Sequence, residues 1–117
     1  MAKVTANKAL AEHAEKRAYQ RYNCDGLIKW SYFNRDRHFD AKIVNFSKDG
    51  FSFETSSEIS PNATIFTQLE NLFTKNMSLS EQECLRTVSI GEVRWCQELF
   101  KDGLRYYVVG VRHSEVR

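Results

Sequence analysis

The sequence predicts a mainly all-β protein, a six-stranded antiparallel β-barrel preceded by a short N-terminal helix or flexible arm. From residue 23 onward, apolar side chains recur at every second position, which is the period of a β-strand. Polar turn segments separate these runs at short intervals, and no second helical run follows the first, which favours a closed or nearly closed small barrel. A chain of 117 residues fits one domain, and a single core is expected.

The N-terminal segment differs in composition from the rest of the chain. Residues 7–16 are rich in Ala, Leu, Glu and Lys, so they can form a short helix with Asn7 as its cap. The apolar stripe of this helix is thin, and we expect it to be weakly docked. We therefore divide the chain into an N-terminal arm, residues 1–22, and a β-barrel, residues 23–117.

The first four strands follow from alternation and turn signals. The first is expected from about 24 to 33, with Ile28, Trp30 and Tyr32 on one face, and the second from about 38 to 46. An Asp-Gly turn, in which Gly50 can take the positive φ that tight turns demand, leads into a third strand at 51–55. A fourth is expected within 63–73, although the second half of that segment is equally compatible with a helix.

The last third of the chain predicts two longer strands. Residues 74–83 are polar and aperiodic, which is typical of an exposed excursion. A fifth strand is expected over 84–99, bent or bulged at Gly91, and a sixth over 104–113. Trp30 and Trp95 are expected in packing positions rather than as stacking surfaces.

Charge and cysteine content exclude several classes of protein. A net charge of +2 is too small for bulk attraction to nucleic acid or to an anionic membrane. No cleavable leader or membrane-spanning run is visible, so we expect a cytoplasmic protein without membrane insertion. Three cysteines without CxxC spacing predict free thiols rather than a disulfide framework or a zinc site.

Nothing in the sequence predicts catalysis. The three histidines, at positions 13, 38 and 113, are scattered, and no HExxH or Gly-x-Ser-x-Gly motif occurs. We therefore expect no enzyme activity, no catalytic residues and no metal site.

One local cluster of cations lies just before the first predicted strand of the barrel. Arg17 and Arg21 are four residues apart, so their side chains share a side whether the segment is helical or extended, and Lys16 adds a third charge. A guanidinium can grip a phosphate or the edge of guanine with two parallel hydrogen bonds, and it can stack on a purine face. Such pairs are also common as solvated surface charges, so the pair alone does not identify a site.

A second cluster follows the second predicted strand. If Phe46 points into the barrel, Asn45 and Ser47 both point outward and form a polar patch, and Gly50 lets the backbone pass close to a ligand. The same residue types are ordinary turn formers, which is the alternative interpretation.

Taken together, Arg17-x-x-x-Arg21 and Asn45-x-Ser47-x-x-Gly50 resemble the paired signature of PilZ domains, bacterial receptors for cyclic di-GMP. The family pattern is RxxxR followed by [D/N]xSxxG, and all five fixed positions match. The segments GEVRW and YYVVGVRH also look like the late barrel strands of the family, so the resemblance covers about residues 16–113.

The resemblance implies a PilZ-type barrel whose arginine segment folds over a ligand on the outer surface. Arg17 and Arg21 would grip guanine and phosphate, Asn45 and Ser47 would contact a guanine, and Gly50 would keep the turn open. The protein would then need no cofactor and would be a receptor or adaptor that changes conformation on binding and signals to an unidentified effector protein.

Two further residues are candidates for ligand contact. The position of Lys16 is, by the same resemblance, a selector between one bound ligand and an intercalated pair, and a basic residue favours the pair because four phosphates need more neutralising charge than two. Arg94, like Arg112, lies on a late strand and can add a phosphate contact if its face turns toward the site; otherwise it is an exposed strand charge.

Two alternatives remain open. A small barrel can bind single-stranded nucleic acid through aromatic stacking and nearby cations, here drawn from Trp30, Tyr32, Phe33, Phe39, Arg35, Arg37 and Lys42. Alternation places most of those aromatic residues in the core, and the charge is low for that function, so nucleic acid is an unlikely partner. A PilZ-like module that acts only through protein contacts is the other alternative.

Overall fold

The computed structural model describes residues 19–114, which contain six strands and one short helix. In chain order these are β1 (Tyr22–Tyr32), β2 (Phe39–Phe46), β3 (Gly50–Thr55), β4 (Thr64–Leu72), α1 (Leu79–Cys84), β5 (Val88–Lys101) and β6 (Leu104–His113). All neighbouring strands are antiparallel, and they close into a barrel in the order β1-β2-β3-β6-β5-β4 because β1 also pairs with β4. The predicted six-stranded antiparallel barrel is confirmed. Most of the predicted N-terminal arm, including the helix expected at 7–16, lies outside the described residues.

Alternate side chains of the strands fill the barrel. The indole of Trp30 is fully buried, and its Nε1 donates a hydrogen bond to Thr55 Oγ1 at 3.1 Å, so the one polar atom of the ring is satisfied in the core. The predicted inward face of β1 is correct at Ile28 and Trp30 but wrong at Tyr32, which is exposed while Ser31 is buried. Tyr32 ends the strand at the mouth of the barrel and packs its ring edge-on against Trp30 instead of entering the core.

The segment 74–83 is not a structureless excursion, as the sequence had suggested, because it runs into α1. Ser78 caps this helix by accepting a hydrogen bond from Glu81 N at 3.1 Å, and its hydroxyl also donates to the Glu81 carboxylate at 3.2 Å. Ser-x-x-Glu is the spacing of a capping pair, and it was the overlooked signal. Since Cys84 belongs to the helix, β5 begins at Val88 rather than at residue 84.

Two other uncertainties in strand geometry are settled. The second half of β4 is a strand, since Leu69 and Leu72 pair with Ile28 and Gly26 of β1. The irregularity in β5 lies between Val93 and Trp95 rather than at Gly91 as expected.

Gly91 is required for a different reason. It pairs regularly with Ile65 on one side and with His113 on the other. A Cβ at Gly91 would lie 2.6 Å from Val111 Cγ1 and 2.7 Å from the Arg112 carbonyl oxygen. The glycine therefore permits close packing of β5 against β6 rather than a bend.

Candidate functional site

The pairing of β1 with β2 brings the two parts of the signature together. Tyr22, the first residue of β1, pairs with Phe46, the last residue of β2. Arg21 and Ser47 each lie one residue beyond this pair, and therefore side by side at one end of the barrel. In the antiparallel arrangement this proximity follows from the strand register alone.

Arg21, Ser47 and Asp49 form a hydrogen-bonded cluster, called here the arginine cluster. Arg21 Nη1 donates to Ser47 Oγ at 2.9 Å and lies 3.8 Å from Asp49 Oδ1. The Ser47 hydroxyl in turn donates to the Asp49 carboxylate, and Asp49 N approaches Ser47 Oγ at 3.3 Å. The guanidinium side chain is only 16% exposed, so this interaction is much less screened by water than a surface ion pair.

Ser47 does not point into solvent as alternation predicted. Phe46 does face the core, but Ser47 is fully buried because β2 ends at Phe46 and the chain turns there. Ser47 N donates to Gly50 O at 2.7 Å across this turn, and the side chain is held beneath Arg21 and Asp49. The hydroxyl is therefore part of a buried network rather than of an open patch.

Gly50 does not adopt a positive φ, which corrects the expectation for this turn. The residue pairs with Arg112, and a Cβ built on it would overlap the carbonyl oxygen of Val111. Gly50 is thus required for the close approach of β3 to β6, which places the turn and its Asp49 against the end of β6.

Asn45 belongs to a row of residues on the outer surface of the sheet. In register with it lie Ser52 on β3, Gly110 on β6 and Trp95 on β5. Asn45 Oδ1 and Ser52 Oγ are both buried, and neither has a hydrogen-bond partner within residues 19–114. Buried polar atoms in native proteins are normally paired, so a polar group that reached this row would find two acceptors to satisfy.

Trp95 lies over Gly110 at the end of this outer row. A Cβ at Gly110 would overlap atoms Cε2 and Nε1 of the indole, so the glycine leaves room for the ring to rest on the sheet. Trp95 is half-buried, as expected for a packing role. The arrangement nevertheless sets an aromatic surface in the same row as the amide of Asn45.

The remaining predicted residues fall into two groups. Lys16 and Arg17 lie outside the described residues, so their contact with the arginine cluster stays a prediction. Arg94 is exposed at the irregular point of β5, and its Nη1 donates to Glu92 Oε1 at 2.9 Å. Arg112 is exposed as well and lies in register between Gly50 and Glu92.

His113 is hydrogen-bonded to the β2–β3 turn and was not predicted as part of the site. Its backbone N donates to Asp49 O at 2.8 Å, and its Nδ1 lies 2.5 Å from Ser89 Oγ. Burial of the ring, with a smaller contribution from Arg86, lowers the pKa of His113 to about 4. The imidazole is therefore neutral at physiological pH.

The comparisons with known proteins support the fold. The sequence matches no protein-family model, and it matches no curated protein. Among solved structures, the chain is similar to the PlzA protein of Borreliella burgdorferi, crystallised in complex with c-di-GMP. The TM-score is 0.57 at 8% sequence identity, over 96% of this chain and 50% of that one. The chain thus spans half the length of this structural neighbour, and the likeness is one of fold.

Within residues 19–114, no helix has the length and apolar character needed to cross a membrane.

Proposed function

We propose that this protein is a PilZ-type receptor for cyclic di-GMP that changes conformation on binding and signals to an effector protein. One observation carries the proposal: Arg21 and Ser47, which belong to two separate signature segments 26 residues apart, are joined by a 2.9 Å hydrogen bond. Family membership, ligand and effector are all parts of this proposal. It includes no catalytic residue and no cofactor.

The chemistry of the site suits a guanine dinucleotide. Such a ligand carries phosphates, which guanidinium groups bind through paired charge-assisted hydrogen bonds, and guanine edges, which arginine and asparagine recognise. Arg21 supplies the first kind of group at the barrel end, and Asn45 supplies an amide on the adjoining outer row. Lys16 and Arg17 would complete the set of cations from the arm.

The end of the arm lies close to the β2–β3 turn. Lys48 Nζ, at the tip of that turn, lies 5.5 Å from the centre of the Tyr19 ring, and Arg21 follows two residues later. A ligand that bridges the arm and the barrel would shift the equilibrium toward an arrangement in which both are ordered around it. We expect amide hydrogen exchange of residues 7–22 to slow on addition of cyclic di-GMP, and unchanged exchange would contradict this part of the proposal.

The number of bound ligands depends on Lys16. A basic residue there favours an intercalated pair of cyclic di-GMP molecules, because its charge helps to neutralise four phosphates. Calorimetry should then give two ligands per chain, and a Lys16→Ala variant should give one. A ratio of one for the unmodified protein would contradict the pair.

The alternative of single-stranded nucleic acid binding has weaker support. Trp30 is fully buried, so it cannot serve as a stacking surface, and Phe39 is half-buried against it. Tyr32 and Phe33 are exposed, and they line one groove together with Phe39, Arg35 and Arg37. This groove is at the barrel end opposite the arginine cluster.

Calorimetric titration separates these functions. Cyclic di-GMP should bind saturably, whereas a single-stranded oligonucleotide should not bind at physiological salt. Oligonucleotide binding that weakens steeply with salt, together with no response to cyclic di-GMP, would favour the alternative. No binding of either ligand would leave a protein-interaction module as the remaining function.

A further inference from the structure

The Asp49 carboxylate already serves as the anion of the arginine cluster. It accepts the hydrogen bond of the Ser47 hydroxyl and stands 3.8 Å from Arg21 Nη1. The Arg21 guanidinium is the donor that a phosphate oxygen would use on entering the cluster, and the Ser47 hydroxyl lies directly beside it. Of the three side chains, Asp49 is the acidic one, and its side chain is 35% exposed against 16% for Arg21.

The position of Asp49 is fixed by its backbone. Its carbonyl oxygen accepts a hydrogen bond from His113 N at 2.8 Å, and its own N–H approaches Ser47 Oγ at 3.3 Å. The neighbouring Ser47 N–H is bonded to Gly50 O at 2.7 Å. A turn held at these points keeps the Asp49 backbone beside Arg21, so the carboxylate can leave the cluster by rotation of the side chain alone.

Two anions cannot share these donors without a cost. A phosphate bound by Arg21 would face the carboxylate as a like charge at short range, in a region where Arg21 is largely shielded from water. The carboxylate must therefore turn away before or during binding. The apparent affinity is then the intrinsic affinity reduced by the fraction of molecules in which the donors are available.

From these contacts we infer that Asp49 is an internal competitor for the anion site and sets the affinity of this receptor for its phosphate-bearing ligand. The inference rests on the proposed function. It assigns a role to a position that lies between the fixed residues of the signature, and it requires no contact between Asp49 and the ligand in the complex.

The test compares Asp49→Asn with Asp40→Asn by stopped-flow binding of cyclic di-GMP. The amide introduced by Asp49→Asn keeps an oxygen that can accept from Ser47 but has no charge to hold Arg21. Asp40 is the matched control: it pairs with Lys29 at 3.8 Å, is exposed, and lies near the start of β2, away from the cluster. Each substitution changes the net charge by the same amount, so long-range electrostatic effects on the association rate are the same in the two variants.

We expect Asp49→Asn to bind about five- to twentyfold more tightly than Asp40→Asn, through faster association with little change in dissociation. Equal affinities, weaker binding by Asp49→Asn, or a gain confined to slower dissociation would overturn the inference. Circular dichroism verifies folding, and Asp49→Ser, which shortens the side chain, should show the same gain. If the unmodified protein binds cyclic di-GMP and the two variants have equal affinity, only the competitor role of Asp49 is contradicted. If none of the proteins binds, the proposed function is contradicted, and the competitor role with it.

Discussion

Arg21 and Ser47 are joined by a 2.9 Å hydrogen bond, although they lie 26 residues apart in sequence and belong to different structural elements. Arg21 precedes β1 and Ser47 follows β2, so the register of the β1–β2 hairpin determines their distance. A shift of that register by one residue would separate them and would also turn the core residues of β1 outward. The stability of the hydrophobic core therefore maintains the geometry of the proposed site.

Gly50→Ala should destabilise the barrel. The new methyl group would overlap the Val111 carbonyl, and a backbone atom of a central strand cannot move aside easily. We expect the free energy of unfolding to fall by about 1 to 3 kcal/mol or more, measured by urea denaturation. The control is Gly103→Asn, at a position with φ of 77° and no neighbouring atom within 4 Å, where asparagine tolerates the left-handed conformation. Equal stability of the two variants would contradict the close approach at Gly50.

Gly110→Ala should displace the indole of Trp95. The added Cβ would overlap the ring, so we expect Trp95 to become more exposed and the protein to lose about 1 to 3 kcal/mol of stability. In a Trp30→Phe background, the fluorescence of Trp95 should shift to longer wavelength. A double variant with Trp95→Ala should lose less stability than the sum of the two single changes, because the clash is then absent. Additive losses would show that the two positions do not interact.

Acid should weaken the protein through His113. The folded-state pKa of about 4 lies below the ordinary value of 6.5, so between these values the unfolded chain binds more protons than the folded one. The stabilising contribution is complete above pH 6.5 and is lost as the pH falls toward 4. We expect this loss to be on the order of 1 to 2 kcal/mol, allowing for partial access of water to the ring.

Chemical denaturation at pH 7 and at pH 5 measures this effect. A His113→Gln variant should show a smaller decrease in stability between the two pH values than the unmodified protein. His38→Gln, at an exposed position, is the control and should keep the full decrease. The same decrease in both variants would show that His113 is not the source.

Most of the fold could be predicted from sequence because the strands carry a clear alternation. The sixth strand is predicted at its observed limits, Leu104–His113, because it follows an Asp-Gly turn signal. In the structure both residues of that turn, Asp102 and Gly103, have positive φ. The alternation assigns Tyr32 to the wrong face, and it does not indicate the helix at Leu79–Cys84. The helix buries none of its residues, so it has no apolar period and only its cap could have indicated it.

Less of the candidate site than of the fold could be predicted from the sequence. The two signature segments were identified, but whether Ser47 would be exposed depends on where β2 ends, which alternation does not determine. Asp49, Ser52 and His113 belong to the site through tertiary contacts that no sequence pattern indicates. Asp49 is bonded to Ser47, Ser52 has a buried oxygen in the row of Asn45, and the backbone of His113 holds the turn at Asp49. Hydrogen bonds between neighbouring strands depend on register, and register is a property of the whole sheet.

The central claim is that the arginines of the signature bind cyclic di-GMP, and calorimetric titration of Arg17→Ala and Arg21→Ala tests it most directly. Each variant should lose about 1 to 3 kcal/mol of binding free energy, or roughly tenfold or more in affinity. Arg105→Ala, at an exposed position at the opposite end of the barrel, is the matched control and should bind like the unmodified protein. Unchanged affinity in both signature variants, or equal losses in all three, would contradict the claim.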